Sequence, residues 1–185
     1  MSDRLHVVVG DSLIVLQFPI VDEDGKAVDL TGGQVRIFPY GKTSGDRPTD
    51  VAGGNPVRTG VTLTAGTAQI TVSSTTGLAV GMRCLNDNVA QGTWIQSIDS
   101  GVLLTLNRPP ISSASSQSLT FWHGLLCDIS LATLGIAKIQ GLPAALQPGG
   151  LTQEVYEFDL WYRDAAAKEG VSVKDEFDAT TPVSG

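Results

Sequence analysis

A handful of side chains bound the chemistry this chain could do. Glu157 and Asp159 alternate along EVYEFDLWYR, residues 154–163, and so project from one face of a strand. A carboxylate pair of that kind is what acid–base cleavage of a glycosidic bond requires. Asp22-Glu23-Asp24-Gly25 gathers three carboxylates in a turn, as a calcium loop would. Gly41-Lys42-Thr43 has the wording that ends a phosphate-binding loop. His6 and His123 are the only imidazoles, and Cys84 and Cys127 the only thiols.

Each of these has a plainer reading that fits its surroundings better. No substrate-cleft pattern accompanies Glu157 and Asp159, and with Trp161 they make an ordinary solvated strand face. The DEDG turn lacks the alternating ligands and closing Glu of a calcium loop, while Asp-Gly supplies the positive φ that a tight hairpin needs. The phosphate loop would need a glycine where Arg36 stands, and Ser44, Gly45 and Pro48 oppose the helix that should follow. His123 has no second histidine nearby, and no G-x-S-x-G phrase exists to supply a nucleophile. The cysteines form no CxxC and no metal-ligand cluster, so free, partly buried thiols are favoured over a bridge. The expectation is a protein with no metal, no cofactor and no catalytic site.

The elements that must position these residues are β-strands. The chain has 185 residues, room for one large or two small domains. Its 21 glycines and only 12 Lys+Arg suit a turn-rich, all-β protein, and 42% hydrophobic content is ordinary for a globular chain. A formal net charge of −7 opposes nucleic-acid binding, which needs a basic face. No apolar run approaches the ~20 residues of a membrane span, and MSDRLHVVVGD lacks the apolar core of a signal peptide. The chain is therefore expected in the cytoplasm, or to leave it within an assembly.

Residues 4–10 and 12–20 read as strands, with Pro19 marking an edge or an end. The DEDG turn follows, then a third strand over 34–38. The order GDSLIVLQFPIVDEDGKAVDLTGGQVRI, residues 10–37, resembles the N-terminal Ig-like domain of tailed-phage baseplate upper proteins. Gly10, Asp11, Phe18, Asp24, Gly25, Val28, Asp29, Leu30, Thr31, Gly32 and Val35 carry the likeness. Residues 41–60 read as a long loop. Later, 125–134 reads as a strand, 136–147 as the only helix, 154–163 as a strand with Tyr156, Phe158, Leu160 and Tyr162 facing the core, and 171–179 as a last strand pair. The Y-x-F-D-L strand, turn and F-D strand resemble the closing hairpin of the same domain.

Residues 61–122 differ from the rest. Their only charges are Arg83, Asp87, Asp99 and Arg108, and short β-type runs alternate with Gly, Asn, Ser and Pro punctuation. Asp99-Ser100-Gly101 is a hairpin signal between TWIQSI and VLLTL. The phrases TVSSTTGLAVGM, GTWIQSIDSG and VLLTLNRP resemble a small β module recurrent in phage tail and virion proteins. Together the two likenesses imply an Ig-like β-sandwich of residues 1–60 and 123–185, with a small β-barrel or sandwich module, 61–122, inserted or appended. They imply a structural virion protein of the tail, baseplate or fibre region, assembled in the host cytoplasm and contacting other virion proteins and copies of itself with trimer- or hexamer-type symmetry. Capsid decoration, a neck position or a carbohydrate-binding module are the alternatives. So few charges over 61–122 suggest strand faces that meet protein, and Trp94, Leu104, Trp122 and Trp161 are the residues expected to make the contact.

Overall fold

The structure is a computed structural model and describes residues 5–8, 15–22, 24–41, 54–140, 155–164, 166 and 169–180. It is all-β: the only helical element among the described residues is a 3-10 turn, Ala132–Leu134. The chain divides into two compact units, Met1–Asp50 with Gly124–Gly185, and Val51–His123.

The outer unit is built from β1 (Leu5–Val8), β2 (Val15–Pro19), β3 (Gln34–Gly41), β10 (Leu125–Leu126), β11 (Asp128–Leu131), β12 (Ile136–Gln140), β13 (Val155–Arg163) and β14 (Glu169–Thr180). One sheet has the order β1-β14-β13-β3-β10, with β1 parallel to β14 and the other pairs antiparallel; a second has the order β11-β12-β2. Alternation in QVRIF puts Val35 and Ile37 on one face. They meet Leu125, Leu160 and Tyr162 from their own sheet and Ala137 and Ile139 from the other, with Ile20 and Leu30 completing the core. Burying each of the Val, Leu and Ile side chains contributes about 1.5–3 kcal/mol.

Three expectations change here. Residues 136–140, expected to begin a helix, form a strand: Ala137 and Ile139 are buried with period two and β12 pairs with β2 from Ile136↔Pro19 to Gln140↔Val15. The rest of that expected helix, 141–147, lies outside the described residues. The last strand pair is instead one long strand, β14. Residues 125–134 are not one strand either, since the backbone breaks at Cys127 and turns at Ala132.

The inner unit is built from β4 (Val57–Leu63), β5 (Gln69–Thr71), β6 (Arg83–Leu85), β7 (Ile95–Ile98), β8 (Leu103–Leu106) and β9 (Ala114–Trp122). The strand at 57–63 belongs to this unit, so the loop expected over 41–60 ends early. Two three-stranded sheets, β4-β9-β6 and β5-β8-β7, are joined along a seam. There Ile95 N donates to Met82 O, Cys84 N to Thr93 O, and Gly81 N to Ile95 O, at 2.8–2.9 Å. The result is one barrel-like order, β4-β9-β6-β7-β8-β5, whose first and last strands are joined by the turn at Thr64–Thr67. Inward residues Val61, Leu63, Ile70, Met82, Cys84, Ile95, Leu104, Leu106, Leu119 and Phe121 form a single core.

Candidate interaction surface

The strand registers give the barrel two ends. At one, the chain enters and leaves: Phe121 N donates to Pro56 O at 2.8 Å, and His123 N donates to Asn55 Oδ1 at 3.1 Å. The loop at 73–82 and the Asp99–Gly101 turn share this end. The other end carries the loops at 64–68, 86–92 and 107–113.

Both ends are stiffened by side chains. At the first, Arg58 donates from Nε to Ser74 O at 2.6 Å and from a terminal nitrogen to Thr76 O. Thr75 Oγ1 donates to Ser100 O at 2.9 Å, so the 73–77 loop is held from two sides. Asp99 Oδ1 accepts from Ser97 Oγ and Oδ2 from Thr105 Oγ1, both at 2.7 Å. The Ser97 and then the Thr105 hydroxyl hold its carboxyl below the usual carboxylate value. At the far end Asn88 links the loops. Its Oδ1 accepts from Ser112 Oγ at 2.6 Å, its carbonyl accepts from Ile111 N at 2.9 Å, and its Nδ2 donates to Gln117 Oε1 at 3.1 Å. Ala65 N donates to Ser113 Oγ at 2.9 Å, bringing in the third loop.

The residues expected to form a contact surface are mostly inside. Leu104 is wholly buried in the barrel core, because Leu104 and Leu106 are the inward positions of β8. Trp161 is also wholly buried, across from Arg36 on β3, which is itself buried. Both faces of β13 are therefore covered at this point, and the solvated face expected there is wrong for Trp161. Its Nε1–H finds no acceptor among the described residues. Trp122 is buried beside Arg83 on β6, and Arg83 in turn sits beside Trp94. Of the four, only Trp94 is partly exposed, with the Arg83 guanidinium 5.4 Å from its ring centroid.

The outward strand positions are small and polar instead. Thr62, Gln69, Thr71, Gln96, Ser115 and Ser118 are exposed. Low charge over this stretch thus reflects a hydroxyl and amide surface rather than apolar faces. Val57, Ile98, Val102 and Ile111 are the barrel's exposed large apolar residues among those described, and Ile111 at the far end is the most open, at 63%.

Of the candidate chemical groups, Asp22 has structural work to do. Asp22 Oδ1 accepts the backbone N–H of Asp24 and of Lys26, at 3.1 and 2.9 Å, and Gly25 takes φ 77°, so that carboxylate closes its own turn. Asp29 Oδ1 accepts from Thr31 N at 2.9 Å; the Thr31 hydroxyl and N–H lower its titration. Asp159 is half-buried, whereas Lys42, Thr43, and the side chains of Glu157 and His6 lie outside the described residues. Cys84 and Cys127 are both buried, and no disulfide joins them. Among the described residues, no three His, Cys, Asp or Glu side chains gather closely enough to hold a metal ion. Sequence reasoning passed over Arg58, Arg83 and Asn88. For Arg83 the available signal was the rarity of charge in the stretch around it; Arg58 lies before that stretch and Asn88 is uncharged, so neither carried such a signal.

The chain matches no protein-family model, and neither a curated protein nor a solved structure matches it.

Proposed function

We propose that this chain is a structural protein of a tailed-phage virion, in which an Ig-like sandwich and its inserted barrel attach neighbouring proteins of the tail, baseplate or fibre region without doing chemistry. The observation that carries this reading is the barrel. It interrupts the outer unit after a segment resembling the baseplate upper domain, its own phrases resemble a virion module, and its surface is stiff, polar and almost uncharged. Asp22, one of the carboxylates that could have signalled chemistry, is committed to closing its own turn. Pre-ordered loops of this kind lower the entropic cost of forming a contact.

The test is mass spectrometry of purified phage particles, followed by immunogold labelling. A stoichiometric presence at the tail tip supports the proposal. Label at the neck or over the capsid would move the protein to those positions, and absence from particles would remove the virion role altogether.

A further inference from the structure

We draw no further inference here: the strongest candidate, the polar outer face of the β5-β8-β7 sheet where Asp99 gathers Gln69, Ser97 and Thr105, carries nothing, because those hydrogen bonds close within the sheet itself and nothing in the structure shows what covers the face.

Discussion

The guanidinium of Arg83 lies over the Trp94 ring and donates from Nη1 to Gly92 O at 2.6 Å. Arg83 is itself almost fully buried, on the opposite face of β6 from Cys84. One cation thereby fixes both the 86–92 loop and the start of β7. Replacing it by Ala removes a desolvated cation–π contact and a charged hydrogen bond, and should cost about 3 kcal/mol. Urea melts should show that loss, with Trp fluorescence shifting to the red. An Arg83→Ala protein as stable as the parent would show that the stack is incidental.

Leu104→Asp should unfold the barrel. The side chain is wholly buried between the two sheets, and an unpaired carboxylate there falls among the most destabilising changes, about 4 kcal/mol or more. Far-ultraviolet circular dichroism should lose part of its β signal. A native spectrum would contradict the inward placement.

Burial pushes the Cys84 thiol up to about 12, from 9.0. A thiol with a raised folded value contributes stability in full below pH 9, and that contribution fades as pH climbs through the window from 9 to about 12, where only the unfolded chain ionises. The alkaline slope of stability should therefore flatten in Cys84→Ala. In the parent at neutral pH, Ellman's reagent should find neither thiol until denaturant is added; rapid labelling of the native protein would refute the burial of both.

Asp99 has the opposite sign. Its carboxylate is held below 3.8 by the Ser97 and Thr105 hydroxyls, so its contribution is present above that value and is lost as pH falls through the lower folded value. Carbon-detected NMR titration should place its midpoint under 3.8. Amide exchange at Leu103–Thr105 should quicken in Asp99→Asn. A midpoint at or above 3.8 would mean that the hydroxyls do not favour the charged form.

Gly124 takes φ 62°, and a Cβ there would run into Ile37 O and the Phe38 ring. Gly124→Ala combines left-handed strain with a backbone clash and should destabilise by about 3 kcal/mol. Gly77, at φ 77° with open space around it, is the control: Gly77→Ala should carry strain alone and cost about 1 kcal/mol. Equal losses at the two positions would argue against the close approach at Gly124.

How much of this was legible in the sequence depends on the range of the interaction involved. The hairpin at Asp99–Gly101 and the DEDG turn are local, and their residues announce them. The strand at Ile136–Gln140 was misread because Ala and Leu downstream favour helix, whereas pairing with the distant strand Val15–Pro19 decides the matter. Trp161 was misread for a related reason. Alternation assigns a side chain to a face, but whether that face is covered depends on parts of the chain far away in sequence. The neutral stretch was recognised as distinct, yet scarcity of charge does not separate an apolar surface from one of Thr, Ser and Gln.

The bond from His123 to Asn55 joins the segments by which the chain enters and leaves the barrel. Within the barrel unit the chain therefore enters and leaves through one short clasp. If the barrel melts, the clasp becomes a slack tether, and each doubling of loop length adds only about 0.6 kcal/mol of closure cost. The outer unit can then survive the loss, replacement or enlargement of what the clasp carries. Heredity has in effect a socket here, where a different module can be seated without rewriting the strands on either side.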